Sequence, residues 1–247
     1  MKKEVLLLIG LSLMILSLSG EGVIPVKPIA GFMEDAVIEE ALYGEAYLKF
    51  DGYDGVNIST LWLQGGYPLN EKLELGAAFG FLNYNYDSKI FDDQSGLSDI
   101  RLSGKYNFYD QVTTITGGGY LTLPIGSEDV GQQNLNFGFW GSLCYPFSET
   151  TELISSMGLD FYESYNLQGD EEYDSFLTIK AGLLQTLNEK ITLVPELHFK
   201  SDHDYASLSA GLDYQLMADG HLRGAFGLGL DDGAPDLSLQ IGFLKKF

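Results

Sequence analysis

The amino-acid sequence predicts an all-β protein, a transmembrane antiparallel up-and-down β-barrel of about 12 strands and of the bacterial outer-membrane type. Three observations predict this class. The chain begins with an apolar leader, continues as segments of alternating apolar and polar residues, and ends on the aromatic Phe247. The composition agrees, because 30 Gly, 15 Tyr and 15 Phe accompany only 7 Pro, and mean hydropathy is +0.01.

Residues 1–20 have the three parts of a signal peptide. Lys2 and Lys3 supply the positive end, residues 5–18 are almost wholly apolar, and Ser17 and Ser19 are small residues at a cleavable spacing. The apolar run of about 14 residues is shorter than the roughly 20 that span a bilayer as a helix. We therefore predict export, cleavage of the leader and residence in the cell outer membrane.

Residues 21–40 differ from the rest of the chain and form a predicted periplasmic N-terminal segment. Pro25 and Pro28 are incompatible with regular strand pairing, and residues 34–41 could form a short amphipathic turn of helix. Two interpretations remain open, a disordered periplasmic tail and a small plug that enters the lumen. Residues 41–247 form the predicted barrel.

Twelve alternating segments follow, an even number as single-chain bacterial barrels require. Strand two changes phase near Leu61, which predicts a bulge there. Most segments have about the 9–11 residues that a tilted strand needs to cross a bilayer, or somewhat more. The predicted strands are 41–50, 56–67, 72–86, 98–109, 112–125, 134–147, 152–164, 174–187, 190–200, 205–217, 221–231 and 236–247.

The links between these segments alternate between two classes. Tight links at 68–71, 110–111, 148–151, 188–189 and 218–220 alternate with links that are generally longer and more acidic, at 51–55, 87–97, 126–133, 165–173, 201–204 and 232–235. Short periplasmic turns and longer external loops are typical of outer-membrane barrels. This asymmetry predicts that both chain ends lie on the periplasmic side.

Each predicted strand has one apolar face and one face that collects polar groups. A charge at the bilayer midplane costs about 2–4 kcal/mol, so the apolar face must meet lipid and the charged face must line the lumen. A soluble lipocalin-like barrel would need the reverse arrangement, but the leader and Phe247 favour the membrane barrel. The predicted lumen-lining residues are Glu45, Lys49, Glu74, Arg101, Lys105, Asp160, Lys180, Glu196, His198, Lys200, Asp213 and Arg223.

Two interpretations of these lumen charges are open and compatible. They could form an ion-pair network that braces a narrow interior, because isolated buried charges are costly. They could also line a pore that selects solutes by charge. The formal net charge of −21 argues against nucleic acid as a partner.

The last strand carries a candidate assembly signal. Its pattern of polar residue, glycine and terminal aromatic corresponds to Gln240, Gly242 and Phe247, with Lys245 at the place of the penultimate aromatic. In resembling barrels the outer-membrane barrel assembly machinery reads this terminus. The other expected partners are outer-membrane lipid, lipopolysaccharide and small solutes, and the oligomeric state is open.

No catalytic residue, metal site or cofactor is predicted. The chain has no Gly-x-Ser-x-Gly, His-Glu-x-x-His or Walker loop. Of the three histidines, His198 faces the lumen, while His203 and His221 fall in a loop and at a turn. A lipid-modifying enzyme is therefore the least favoured of three hypotheses, after a porin-like channel and a structural or surface-interaction barrel closed by ion pairs.

Two stretches carry a family resemblance. Residues 96–106, which begin Gly-Leu-Ser-Asp, and residues 121–126, which read Leu-Thr-Leu-Pro-Ile-Gly, resemble the outer-membrane transporter family labelled MetA-pathway of phenol degradation. Members tend to show Gly-Leu-Gly-Asp before a strand and Leu-Pro-Thr-Gly at a strand end. In this chain Ser98 replaces the second glycine of the first motif, and Ile125 replaces the threonine of the second. The resemblance implies a barrel that takes up aromatic or apolar compounds.

Overall fold

The computed structural model describes residues 26–88, 91–165, 171–202 and 204–247. The predicted signal peptide at 1–20, residues 21–25 of the N-terminal segment and His203 lie outside the described residues. Within these ranges the chain folds as a closed antiparallel barrel.

Thirteen strands make up twelve positions in the barrel wall. The strands are β1 Tyr43–Tyr53, β2 Val56–Asn70, β3 Leu73–Tyr86, β4 Gln94–Leu97, β5 Ile100–Asp110, β6 Thr114–Leu123, β7 Asn136–Ser148, β8 Thr151–Tyr165, β9 Glu171–Asn188, β10 Ile191–Lys200, β11 Tyr205–Met217, β12 Gly220–Gly229 and β13 Leu237–Lys246. The short β4 pairs with the outer part of β3 and continues the row of β5 across a break at Ser98 and Asp99, so β4 and β5 both pair with β3. Every other strand pairs with its sequence neighbours, and β1 pairs with β13, so the sheet closes.

The predicted fold class is confirmed, and the twelve predicted segments match the twelve wall positions to within a few residues. The predicted bulge near Leu61 is wrong. Pairing between β2 and β3 is regular up to Pro68, and the irregularity lies between Pro68 and Asn70. Trp62 fits inside the wall because Gly80 lies directly across from it, and a Cβ at Gly80 would lie 2.2 Å from the indole ring. An inward aromatic therefore needs no change of phase.

The two ends of the barrel differ in how the strands connect. At the end that holds both Tyr43 and Phe247, here called the turn end, the links are two or three residues long. The Asn70 and Asn188 side chains each accept two backbone N–H bonds across such a turn, which is a local reason for the reversal. Most links at the opposite end, here called the loop end, are longer. The link from β1 to β2 is an exception: it has two residues, with Gly55 at φ +82°.

The side chains of the wall show the inverted pattern of a barrel in lipid. Outward residues are apolar and exposed, for example Leu239 at 46% and Phe139 at 61%. Inward residues include charged side chains that are almost fully buried, for example Glu45 at 3% and Arg223 at 1%. Lipid must cover the first set, and partners inside the barrel must compensate the second. None of the described residues belongs to a helix long and apolar enough to cross a membrane.

The described part of the N-terminal segment, residues 26–40, runs through the interior of the barrel. Val26 and Ile29 pack with wall residues Leu184 and Val194, and further along Phe32 and Met33 pack with Tyr43 and Leu244. The predicted helical turn over 34–41 is wrong, because this stretch forms bends without helical hydrogen bonds. Wall hydroxyls satisfy its carbonyls instead: Ser142 donates to Glu34 and Thr116 donates to Ala36.

Candidate functional site: the barrel lumen

Glu34 connects the N-terminal segment to two strands of the barrel wall. Its Oε1 lies 2.8 Å from Arg101 Nη2 on β5, and its Oε2 lies 3.0 Å from Lys180 Nζ on β9. Burial alone would raise the pKa of Glu34, but Lys180 and Arg101 outweigh burial and lower it to about 2. The carboxylate is therefore ionised in the docked segment at neutral pH.

Asp35 forms a second ionic centre, on the side nearer the turn end. It pairs with Lys105 of β5 and, at 2.7 Å, with Lys27 of the segment itself. Lys105 Nζ also lies 3.1 Å from Glu74 and donates to the Val37 carbonyl at 2.6 Å. Burial would lower the pKa of Lys27, but the surrounding anions, Asp35 first, outweigh it and raise that pKa well above its usual value.

Two wall residues bind the backbone at the start of the segment. Glu196 of β10 accepts the Ile29 N–H at 3.1 Å and the Ala30 N–H at 3.0 Å. Arg223 of β12 donates to the carbonyls of Lys27 at 2.5 Å and Pro28 at 2.9 Å. The segment is thus fixed by both its charges and its backbone.

Arg223 is also the centre of a buried cluster in the wall itself. Its Nη1 lies 2.9 Å from Glu45 Oε1, and its Nε lies 3.2 Å from Asp213 Oδ2. Asp213 also pairs with His221 Nδ1 at 2.6 Å. The structure buries His221 inside the barrel, whereas the sequence analysis placed it only at a turn.

The remaining predicted lumen residues lie toward the loop end. Lys49 pairs with Asp51 at 2.8 Å, and Asp160 accepts hydroxyl bonds from Tyr120 and Thr178, each at 2.6 Å. His198 and Lys200 also face the interior. All twelve residues predicted to line the lumen therefore have inward positions, and most of them contact either the segment or one another.

The N-terminal segment divides the interior into cavities at its two sides. On the loop-end side lie a cavity of about 280 Å³, whose lining includes Trp62, and a cavity of about 270 Å³, whose lining includes Trp140. Glu34 lines both of them. On the turn-end side a cavity of about 250 Å³ is lined by residues that include Val26, Asp35 and Cys144.

The sequence analysis missed the partners that the segment supplies. Lys27, Glu34, Asp35 and Glu39 all form ion pairs inside the barrel. A signal was available, because the strands carry inward cations while most acids lie elsewhere, and four charges occur within residues 27–39. A segment that cannot pair as a strand and carries closely spaced charges is a candidate to enter the lumen and form ion pairs with the charges of the wall.

The residues of the candidate assembly signal extend from the middle of β13 to the turn end. Gln240 faces the interior and lines the first loop-end cavity. Gly242 is packed against Tyr47, whose Cβ would lie 2.7 Å from a Cβ at that position. Phe247 donates its N–H to the Leu42 carbonyl at 2.8 Å, and its ring is 71% exposed on the outside.

Comparison with known proteins gives structural likeness without sequence likeness. No protein-family profile and no curated protein matches the sequence. The COG4313 outer membrane channel from Pseudomonas putida F1 superposes with a TM-score of 0.70 at 15% identity, over 92% of this chain and 98% of that one. The NanC porin gives 0.58 at 14% identity, over 84% and 100%. The toluene transporter TbuX of Ralstonia pickettii gives 0.54 at 11% identity, over 94% and 95%.

These similarities establish the fold that the chain shares with outer-membrane barrels. All three proteins carry names of channels, porins or transporters, and the described barrel covers nearly their whole length. At 11–15% identity the likeness is one of architecture, so the function of this chain has to be argued from its own lumen.

Proposed function

We propose that this protein is an outer-membrane channel for passive passage of small solutes, and that the N-terminal segment closes its lumen. The turn end then faces the periplasm and the loop end faces the exterior, as the short turns at the end that holds Tyr43 and Phe247 indicate. Outer-membrane lipid, lipopolysaccharide and the barrel assembly machinery are the partners that such a location implies.

One observation carries the proposal: residues of the N-terminal segment line both the loop-end and the turn-end cavities, so the segment lies between them. The segment is attached through ion pairs, through hydrogen bonds with wall side chains and through apolar packing, and it adds no strand to the sheet. Such contacts can break and form without disturbing the backbone ladder of the wall. These contacts therefore favour a segment that can leave the lumen over one that fills it permanently.

The class of solute follows from the lumen and from similar proteins. The name of TbuX specifies toluene, and the family resemblance of residues 96–106 also implies aromatic or apolar compounds. The interior here carries charged side chains on most of its strands, which favours solutes with polar or charged groups. No catalytic role is proposed for any residue.

Conductance in planar lipid bilayers tests the channel function. The mature protein should give discrete current steps, and Asp35→Asn should increase the time spent open, because it leaves Lys27 and Lys105 without their shared anion. Asp232→Asn, in an exposed loop, is the matched control and should behave as wild type. A folded protein that stays silent at all voltages, with Asp35→Asn silent as well, would favour the structural barrel closed by ion pairs.

A further inference from the structure

The residues that line the two loop-end cavities carry an excess of positive charge, opposite in sign to the net charge of the molecule. The chain has a formal net charge of −21, yet among the described residues Glu34 and Asp160 are the only carboxylates that line these cavities. Against them stand four cations, which are Lys49, Arg101, Lys180 and Lys200. A cavity lined by excess charge of one sign concentrates solutes of the other sign.

Several donors in this region have no partner among the described residues. Lys200 forms no ion pair there, and its Nζ faces only the rings of Tyr205 at 4.8 Å and Phe176 at 5.7 Å. Trp140 Nε1 and Arg101 Nε are buried without a hydrogen-bond acceptor. Because buried polar groups are nearly always satisfied, these donors are available to an acceptor that enters the cavities.

Glu34 shows what kind of acceptor fits. One carboxylate oxygen accepts a bond from Arg101 and the other accepts a bond from Lys180, so a single carboxylate bridges cations on two strands that are not neighbours in the sheet. Charge-assisted bonds of this kind are among the strongest in proteins. The Glu34 side chain belongs to the segment and not to the wall, and a carboxylate from solution could take the same cations when the segment moves.

We propose that the loop-end cavities form a binding site for a small organic carboxylate with an aromatic ring, for which Glu34 is an internal stand-in. Lys200 supplies the cation that Glu34 leaves free, and Arg101 and Lys180 complete the site once Glu34 is displaced. This inference rests on the channel proposed above, because the solute must enter the lumen to reach the cavities.

The aromatic part of the ligand follows from the walls of the second cavity. Tyr120, Trp140 and Phe176 line it, and the Arg101 guanidinium lies 3.7 Å from the centre of the Tyr120 ring. Flat rings pack on such faces, while the in-plane N–H groups of the stacked guanidinium remain available to a carboxylate. Volumes of about 270 and 280 Å³ lie just below the range of about 300–1,000 Å³ for drug-sized ligands, which suits a single ring better than an oligomer.

Intrinsic fluorescence provides a binding assay that is independent of conduction. The only two tryptophans, Trp62 and Trp140, line the first and second loop-end cavities. Titration of the detergent-solubilised mature protein with benzoate at pH 7 should change their emission at concentrations at least ten-fold lower than with benzyl alcohol or benzylamine. The three probes share the ring and differ in charge.

Two variants should move the benzoate affinity in opposite directions. Lys200→Gln should weaken benzoate binding about ten-fold or more, because it removes a charge-assisted bond. Glu34→Gln should strengthen binding by about ten-fold, because it releases two cations from their internal carboxylate. Lys190→Gln, which removes one positive charge from an exposed turn, is the control and should leave the affinity unchanged.

The outcomes separate this inference from the channel function. Benzoate that binds no better than benzyl alcohol, or that binds Lys200→Gln as tightly as wild type, overturns the carboxylate site even if the protein conducts. Specific benzoate binding by a protein that is silent in bilayers leaves the site standing and removes the channel. Weaker benzoate binding by Glu34→Gln would show that Glu34 contributes to the site and does not compete with its ligand.

Discussion

Replacing Glu34 by Gln removes the charge that holds the N-terminal segment between β5 and β9 and keeps the shape of the side chain. The structure sets the size of the effect. Lowering the pKa of this carboxyl from 4.5 to about 2 corresponds to about 3 kcal/mol in favour of the ionised form in the docked segment. A neutral amide loses this contribution, so we expect the undocked population of the segment to increase by about 10²-fold.

Hydrogen exchange at the Ile29 and Ala30 amides reports this docking directly, because both N–H groups donate to Glu196 only while the segment is in place. Their protection should fall by up to about 10²-fold in Glu34→Gln. Glu149→Gln, in an exposed turn, removes one carboxylate elsewhere and should leave protection unchanged. Equal protection in wild type and Glu34→Gln would refute the reasoning.

The same carboxyl gives the wild-type protein a pH dependence with a defined sign. The pKa of Glu34 is lowered in the docked state, so its contribution is fully present above about pH 4.5 and is lost as the pH falls toward about 2. Protection of the Ile29 amide in wild type should therefore approach that of Glu34→Gln through this window. A difference between the two proteins that stays constant from pH 5 to pH 2 would contradict the assignment.

Three further predictions concern the wall and its contact with the segment. Arg223→Gln leaves two buried carboxylates without their cation and should destabilise the barrel by about 3–5 kcal/mol in urea unfolding. Leu212→Arg, on the outward face, should cost about 2–4 kcal/mol in a bilayer, whereas Ser209→Arg, which faces a cavity, should cost far less; equal costs would mean that the faces are misassigned. Gly76→Val should displace Met33, whose Cε lies 2.1 Å from the new Cβ, and lower amide protection in the segment while the barrel stays folded.

The barrel could be predicted from the sequence because its pattern is local. Each strand alternates between lipid and lumen with a period of two, so rows such as Leu237, Leu239 and Ile241 identify the outward face without knowledge of any partner. Trp62 shows where this reasoning failed. An aromatic side chain on the inner face was interpreted as a slip of phase, while the glycine across the strand that accommodates it could not be recognised before the register was known.

The interior could be predicted only as a set of charged positions. The pairs that organise it are distant in sequence, since Glu34 bonds Arg101 across 67 residues and Lys180 across 146 residues. Periodicity contains no information about such pairs, and the N-terminal segment has no periodicity of its own. That the segment acts as a plug remains a prediction, supported by its contacts with the wall.

A reversible tether between the N-terminal segment and the wall tests the central claim most directly. Ile29 Cγ1 lies 3.4 Å from the Cβ that a side chain at Gly211 would have, so the two Cβ atoms of Ile29→Cys/Gly211→Cys lie within about 5 Å, close to the range of about 3.5–4.5 Å for a disulfide. The steric conflict of a Cβ at Gly211 with Ile29 Cδ1 disappears in the double variant. Cys144→Ser provides a background without other thiols.

Single-channel recording on this double variant, with the disulfide verified by thiol labelling, then gives a clear answer. The proposed channel predicts that the oxidised protein is silent and that adding reductant restores the current steps of the Cys144→Ser parent. The same conductance before and after reduction would show that solutes pass without movement of the segment, and would contradict its role as the closure of the lumen.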